Sequence, residues 1–338
     1  MRIRIPKING GRARQLTGAI LFAPTLVVVG IFVYWFILFT LQVSVSKGYT
    51  PFNQDLTRTP DLLENYANLM MNPRWQIDLR NIFILTVGVL ALSTIIGLLL
   101  AVMVHSTVRA SGLFQSIFML PYALSFVVTG VVWRWIFTPQ TGVDLLLRYS
   151  GIAGAYKAMT VQELSPGWIT DPTVAGDLNA ALVKIFPGLG DVLSVQLGIP
   201  LAILPVIVAA SWQLTGFAMA FFLAGLAGIP EEINEAASVD GARTLARFRH
   251  ITLPLLRPTL FVTLVLLGHT VLKAFDLVVA MVGSGPGFST DVPAIFVFDS
   301  MFKALSYKMG AAGSIVMFLL VGAVVIPYLV RAYGRDDS

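Results

Sequence analysis

Six apolar runs long enough to cross a bilayer dominate this sequence and restrict it to an all-α integral membrane protein. A transmembrane helix needs about 20 consecutive, mainly apolar residues, and lipid offers no partner to an unpaired backbone group, so such runs are expected to be helical. Mean hydropathy is +0.80, and 12% of the 338 residues are charged, against roughly 25% in soluble domains. We place the six transmembrane helices at residues 16–41, 82–104, 113–137, 201–227, 259–282 and 311–330.

Basic residues predict the orientation of these spans. The tail at residues 1–15 is rich in Arg and Lys, and the short segments 105–112 and 230–258 together with the C-terminal end carry further basic residues. Because Lys and Arg concentrate in cytoplasmic loops, both termini are expected in the cytoplasm. A cleaved signal peptide is the alternative for a basic start, but its apolar region usually has only about 7–15 residues, fewer than the first run here. We therefore interpret that run as the first span.

One long polar passage lies directly between two spans, at residues 230–258, PEEINEAASVDGARTLARFRHITLPLLRP. Pro230 suits the first position of a helix, and the two glutamates after it favour the positive end of the helix dipole. Asp240 and Gly241 are turn residues, since Gly adopts left-handed backbone angles without steric cost. Leu245 then begins the apolar face of a second short helix. The passage is expected to form a helix, a turn and a helix.

The spacing of this passage resembles the EAA signature of permease subunits in bacterial ABC importers that work with a solute-binding protein. The longer form, EAASVDGA…F..ITLPLLRP, resembles the carbohydrate branch of that family, with its maltose-type and glycerol-phosphate-type permeases. The resemblance implies a type I ABC importer fold in which residues 230–258 form a coupling loop that docks on an ATPase subunit; an ordinary helical loop is the alternative. The residues that the resemblance assigns to coupling are Glu235, Ala236, Ala237, Asp240, Gly241, Phe248, Leu253 and Pro254.

The same resemblance implies the partners of the chain. These are a second permease subunit, expected as a heterodimer, two ATPase subunits that bind ATP and Mg, and an external solute-binding protein, all at the cytoplasmic membrane. The sequence has no GxxxxGK[ST] P-loop and no Cys, so ATP hydrolysis, disulfides and thiolate catalysis are not expected of it. We predict no bound cofactor, no metal and no nucleic acid. A self-sufficient secondary transporter is the rival hypothesis, but it should show internal repeats and an ion-coupling site.

Two further segments outside the membrane follow from the resemblance. The stretch LKAFDLVVAMVGSGPGFST at residues 272–290 is similar to the family pattern FD…GGP…T, and a loop that faces the binding protein is implied there; a simple helix terminator is the alternative. Four residues unsuited to a helix end this span: Gly283, Gly285, Pro286 and Gly287. The segment at about 140–200 is longer than in many relatives and is expected to be an external insertion.

The polar residues within the last spans are candidates for the translocation path, because intramembrane charge is costly unless it is paired or faces a cavity. Lys273 and Asp276 are three apart, close enough to pair on one helical face, with His269 four residues before Lys273. A structural ion pair is the alternative for these charges. On the fourth span Trp212, Gln213 and Thr215 offer an aromatic face and hydrogen-bonding groups suited to sugar hydroxyls. Disaccharide, oligosaccharide, polyol and glycerol-derived solutes all remain open.

Overall fold

The computed structural model describes residues 21–107, 111–151, 167–185, 188, 190 and 192–333. The predicted basic tail at 1–15 and the beginning of the predicted first span therefore lie outside the described residues. The helices are α1 Leu21–Ser44, α2 Glu64–Met70, α3 Pro73–Thr107, α4 Ser111–Met119, α5 Phe126–Phe137, α6 Gly142–Tyr149, α7 Asn179–Ile185, α8 Ile203–Ala227, α9 Glu231–Val239, α10 Thr244–Arg247, α11 Leu253–Leu255, α12 Arg257–Leu272, α13 Asp276–Met281, α14 Pro293–Phe298 and α15 Tyr307–Tyr333; the strands are β1 Val174–Ala175 and β2 Ile199–Pro200.

Four of these helices, α1, α3, α8 and α15, are long and apolar enough to cross a membrane. Two bent pairs of helices would raise the number to six if each pair counted as one span. Ser111–Ala123 and Phe126–Tyr149 meet at 92°, and Thr244–Leu255 and Arg257–Leu272 meet at 63°. The apolar runs of the sequence are thus helical. The first bend interrupts the predicted span 113–137, and the second, at residue 256, lies within the predicted loop 230–258.

The second long helix, α3, begins at Pro73 and not at residue 82, where its apolar run starts. Proline is well tolerated at the first position of a helix, and the Asn72 side-chain oxygen accepts a hydrogen bond from the Arg74 N–H at 3.0 Å. Polar residues that follow are buried against other segments, as with Asp78 and Asn81, which are fully buried. Hydropathy alone therefore places the start of this helix too late.

The predicted span 113–137 is broken near its middle, which corrects the expectation of one continuous helix. Pro121 lies in a 3-10 turn, Leu120–Ala123, and both Leu124 and Ser125 are extended. The Ser125 hydroxyl oxygen then accepts a hydrogen bond from the Val127 N–H at 3.2 Å and caps α5. The break arises because Pro121 cannot donate a helical hydrogen bond and Ser125 starts a new helix.

The predicted span 259–282 is also broken, because α12 ends at Leu272 and α13 begins at Asp276. Lys273 has φ −98° and ψ 12°, and Phe275 has φ −126° and ψ −58°, so neither continues the helix. Lys273 follows the C-terminal end of α12, and Asp276 lies in the first turn of α13. Each charge thus lies at the helix end that its sign favours.

The helices α3 and α8 form the centre of the core. Val89, Leu214, Met219 and Phe222 are almost completely buried in it. The two backbones approach closely at Gly97, where an added Cβ would lie 2.7 Å from the Ala218 Cβ. By contrast, only 6% of the most apolar window of α1 is buried within the chain. The outer helix therefore contributes little to the internal core.

The predicted insertion at 140–200 is described except for residues 152–166, 186, 187, 189 and 191. It contains α6, α7 and an antiparallel pair of short strands, with Val174 opposite Pro200. Polar side chains at the start of α3 hold it through backbone atoms. Gln76 Nε2 donates to the Val192 carbonyl at 2.7 Å, the Ser194 N–H donates to Gln76 Oε1 at 2.9 Å, and Arg80 donates to the Gln196 carbonyl at 2.8 Å.

Candidate functional site

The coupling loop, residues 230–258, has the local structure predicted from its sequence. Helix α9 is followed by a turn at Gly241, whose φ is +77°, and by α10. The Gly241 N–H donates to the Ser238 carbonyl at 3.1 Å, and the Ala242 N–H donates to the Ala237 carbonyl at 2.9 Å. A π-helical turn, Phe248–Thr252, joins α10 to α11, a detail that the sequence did not predict.

Most of the predicted coupling residues are accessible on this loop. Ala237 is buried, and Phe248, Leu253 and Pro254 are half-buried; Glu235, Ala236, Asp240 and Gly241 are exposed. Two large apolar side chains are also exposed, Val239 at 88% and Leu245 at 77%. Both lie on a loop that also carries charged residues. The loop thus presents a surface that the rest of the chain does not cover.

Two cavities meet at the break between α12 and α13. The smaller, about 220 Å³, is lined by Lys273 and Asp276 together with Leu85 and Leu214. The larger, about 670 Å³, is lined by His269 and Lys273 and by the rings of Phe275, Phe298, Phe302 and Phe318. The structure therefore brings His269, Lys273 and Asp276 to one region, as predicted. Lys273 lines both cavities.

The predicted pairing of Lys273 with Asp276 is wrong, because no ion pair joins these two described residues. The prediction assumed one continuous helix, in which residues three apart share a face. The break at Lys273–Phe275 removes that geometry, and both side chains are exposed in the isolated chain. The two charges thus act as separate groups.

The candidates on α8 occupy different environments. Trp212 is 42% exposed, and its ring lies 5.7 Å from the Trp133 ring in an edge contact. Gln213 is 1% exposed, and its Nε2 donates to the Leu124 carbonyl at 2.7 Å, at the break before α5. Thr215 donates to the Ser211 carbonyl at 2.6 Å within its own helix. In this conformation Gln213 and Thr215 are engaged by the protein, and neither of the two cavities includes a residue of this trio.

The glycine turn, residues 283–291, ends the helical segment as predicted. Gly283, Gly285 and Gly287 all have φ between +60° and +69°, a region that favours glycine. At Gly285 an added Cβ would also lie 2.5 Å from the Thr290 hydroxyl oxygen. Any other residue at Gly285 would therefore be strained and would clash.

A cluster of charged side chains at the start of α3 was not predicted. Arg74 Nε donates to Asp291 at 2.6 Å, and Arg74 Nη2 donates to Asp299 at 2.6 Å. Its guanidinium also lies 4.7 Å from the centre of the Phe288 ring. With Asp78, which lies on the same helix, these residues form what we call the Arg74 cluster: Arg74, Asp78, Asp291 and Asp299.

The two carboxylates that Arg74 binds differ in their environment. Burial raises the pKa of Asp291, although the hydrogen bond from Arg74 opposes that shift. Burial would also raise the pKa of Asp299, but hydrogen bonds from Lys303 and Arg74 outweigh it and lower the pKa. Lys303 Nζ lies 2.6 Å from Asp299. Among the residues that the structure describes, no group of three or more His, Cys, Asp or Glu side chains is placed to hold a metal ion.

The Arg74 cluster joins segments that are far apart in sequence. Asn81 Nδ2 donates to the carbonyls of Phe288 and Asp291, at 2.9 Å each, so two side chains of α3 hold the glycine turn. The i,i+4 spacing of Arg74 and Asp78 was the sequence feature from which a cluster of charges could have been predicted. It was missed because both residues precede residue 82, where the predicted second span begins.

This helical membrane fold, with a helix-turn-helix loop and a broken helix beside a cavity, defines a class of transport subunit. The chain belongs to the family of binding-protein-dependent transport system inner membrane components, whose family model matches residues 93–335. It is therefore the permease subunit of an ABC importer, with the type I importer fold.

Individual relatives agree with this family. The chain is 32% identical to a probable ABC transporter permease protein of Pyrococcus horikoshii, over 96% of this chain and 99% of the relative. It is 28% identical to the trehalose/maltose transport system permease protein MalF of Thermococcus litoralis, over 94% and 95% of the two chains. A crystal structure of a bacterial alginate ABC transporter, in complex with an alginate pentasaccharide-bound periplasmic protein, has a chain with a TM-score of 0.67 and 19% identity, covering 95% of this chain and 96% of that one. The last similarity shows the fold alone.

Proposed function

We propose that this permease passes a sugar or sugar-like solute across the cytoplasmic membrane, from an external binding protein, driven by ATP hydrolysis in separate subunits. The observation that carries the proposal is the pair of cavities at the α12–α13 break. Polar groups of His269, Lys273 and Asp276 meet aromatic rings there, a combination that can hydrogen-bond sugar hydroxyls and stack on sugar faces. The name of the trehalose/maltose relative supports this class of solute.

We propose six spans, with α4 and α5 forming the third and α12 and α13 forming the fifth. The coupling loop is then cytoplasmic, together with both termini, and the insertion and the glycine turn are external. The basic residues of the loop, including Arg243, Arg247 and Arg249, support this side. Because the chain contains no Cys, single cysteines can test the topology directly.

The topology test uses two highly exposed positions, Phe52 at 89% and Val239 at 88%. A membrane-impermeant thiol reagent applied to intact cells should label Phe52→Cys and not Val239→Cys. After the membrane is permeabilised, in cells that express the permease without the ATPase subunit, both variants should react, which controls for accessibility. Labelling of Val239→Cys in intact cells would overturn the proposed orientation.

The proposed partners follow from surfaces that the chain leaves open. The coupling loop, with Val239 and Leu245 exposed, is suited to a cleft on an ATPase subunit, which would bind ATP and Mg. A second permease subunit, forming a heterodimer, would cover part of the exposed α1. The glycine turn, including Gly283, Gly285, Pro286 and Gly287, would face the solute-binding protein.

Reconstitution of the complete importer in proteoliposomes tests the solute class. A neutral oligosaccharide, a uronate oligosaccharide and glycerol phosphate would be compared in uptake and in stimulation of ATPase activity, each with the cognate binding protein. We expect a sugar to stimulate both and glycerol phosphate to stimulate neither. Stimulation by glycerol phosphate alone would show that the transported solute is a phosphorylated polyol and not a sugar.

The candidate residues of the translocation path, two at the cavities and Trp212 outside them, are tested in the same system. Lys273→Ala, Asp276→Ala and Trp212→Ala should reduce uptake at least severalfold while the complex still assembles. Lys184→Ala is the matched control, since Lys184 is an exposed cation on α7, away from both cavities. Wild-type uptake by the Lys273 and Asp276 variants would remove the helix break from the proposed path.

A further inference from the structure

Asp78 is a buried carboxyl group that receives no hydrogen bond from the described residues. Its side chain is completely buried, and neither of its oxygens has a donor. Its neighbour in the Arg74 cluster is Asp291, which is also completely buried and whose negative charge acts on Asp78. Two ionised carboxylates can only accept hydrogen bonds, so they cannot bond to one another. One proton between them would satisfy both groups.

The positive charges around Asp78 are already engaged. Arg74 binds Asp291 and Asp299, and Lys303, on the segment after α14, binds Asp299. Arg80, on the same helix as Asp78, donates to Asn81 and to the Gln196 carbonyl of the insertion. A buried ionised carboxylate without a donor costs several kcal/mol, and such a group usually becomes neutral instead. Burial and crowding with like charge both favour the protonated form.

The contacts also decide which of the two carboxyls keeps its charge. Asp291 accepts hydrogen bonds from Arg74, from the Ser284 hydroxyl at 3.2 Å and from the Val292 N–H at 3.2 Å. Hydrogen bonds donated to a carboxylate favour its ionised form. Asp78 has none of these donors. The proton therefore belongs on Asp78.

We propose that Asp78 is a proton-binding site, which holds a neutral carboxylic acid whose O–H donates a hydrogen bond to Asp291. The proton comes from water and returns to water, so no other reactant is needed. While it is bound, α3 and the glycine turn are joined by Arg74, Asn81 and Asp78. When it leaves, two adjacent carboxylates repel each other and this joint weakens. The site thus connects proton concentration to the attachment of the glycine turn.

Infrared spectroscopy of the assembled importer tests the protonation state directly. The wild type at neutral pH should show the carbonyl band of a protonated carboxylic acid, and Asp78→Asn should lose it. Asp276→Asn is the matched control, because Asp276 is exposed and its replacement should leave the band unchanged. An identical band in the wild type and in Asp78→Asn would show that Asp78 is ionised and would overturn the proposal.

The pH dependence of thermal unfolding gives a second, independent readout. A proton held by the folded protein but released by the unfolded chain makes stability fall as pH rises. The wild-type unfolding midpoint should therefore fall as pH rises from about 4, the ordinary pKa of Asp, through neutral pH and up to the raised pKa of the folded protein. Asp78→Asn, which donates without titrating, should lose most of that dependence. If Asp78→Asn does not assemble, Asp78→Ser provides the same comparison. A fall of unchanged size in these variants would contradict the proposal.

Discussion

The Arg74 cluster and the coupling loop, at opposite ends of the α12–α13 segment, are built in opposite ways. At the cluster, Asp78 and Asp291 are completely buried, and Arg74 binds two carboxylates at 2.6 Å each. On the coupling loop, Val239 and Leu245 are among the most exposed apolar residues of the described chain. The cluster is completed within one chain, whereas the apolar side chains of the loop are left uncovered by it.

This difference predicts whether a variant in each region changes the folding of the chain or its assembly with partners. Asp291 in the cluster is shielded from water, so removing Arg74 leaves an uncompensated buried charge. The exposed loop residues lose little when they are changed, because water already surrounds them. Variants in the cluster should therefore affect the folding of the chain, and variants in the loop should affect its assembly with partners.

The largest effect is expected from Arg74→Met, which leaves Asp291 buried without its cation. We expect a loss of about 3–5 kcal/mol in the free energy of unfolding, the usual cost of breaking a buried ion pair from one side. Denaturation of the purified permease in detergent measures it. Lys303→Met is the control, since Lys303 is 69% exposed and such pairs contribute at most about 1 kcal/mol. Equal losses in both variants would erase the contrast between buried and exposed charge.

An intermediate effect is expected from Gly241→Val in the coupling loop. The φ of +77° should cost a branched residue about 1–2 kcal/mol, although no atom lies within 4 Å of the added Cβ. Membrane insertion should be normal, while ATPase-subunit copurification and solute-stimulated ATPase activity fall. Gly228→Ala is the control, because Gly228 has an ordinary φ of −81°. Normal copurification of Gly241→Val would show that the turn geometry is not needed for docking.

A smaller effect is expected when the pH is lowered, through Asp299. The pKa of Asp299 is lowered in the folded protein because hydrogen bonds from Lys303 and Arg74 outweigh burial. Its contribution is therefore present above the pKa of the unfolded chain and is lost as pH falls through the folded pKa. Lys303→Ala should reduce this acid loss, by less than about 1 kcal/mol. Unfolding midpoints of wild type and variant from neutral to acidic pH measure the difference, and parallel curves would contradict it.

The smallest effect on folding is expected from Val239→Ser. An exposed substitution of this kind usually changes stability by less than about 0.5 kcal/mol, and Val239 is 88% exposed. Recovery of the ATPase subunit with the permease should nevertheless decrease, because an apolar contact is removed from the interface. Phe52→Ser, equally exposed at 89% but outside the coupling loop, should leave recovery unchanged. An equal decrease in both variants would show that the loop surface has no specific part in binding the ATPase subunit.

Local chemistry explains which elements could be predicted from the sequence. The turn at Gly241 and the end of α13 before Gly283 depend on residues within a few positions of each other, and both are present. The break before α5 depends on Ser125 and on Gln213, which donates to Leu124 from 89 positions away. Hydropathy gives no information about that contact, so the span was predicted to be continuous.

The Arg74 cluster was missed for the same reason at a longer range. Arg74 and Asp291 are separated by 217 positions in the sequence. Each lies outside the predicted spans, and hydropathy gives no reason to bring them together. For Lys273 and Asp276, the sequence suggested a contact that the structure does not contain. Their spacing suggested a pair, but the helix break between them separates the two charges.

The attachment of the 140–200 insertion has a consequence for how this protein can evolve. The side chains of Gln76 and Arg80 bind the carbonyls of Val192 and Gln196, and Gln76 also binds the backbone N–H of Ser194. Every residue type except proline offers the same backbone groups. Mutations of Val192 and Gln196 therefore keep these anchoring bonds, whereas a change of Ser194 also removes the bond from its hydroxyl to Gln76 at 3.1 Å. Selection can thus diversify the insertion at the first two positions while the helical bundle beneath it stays the same.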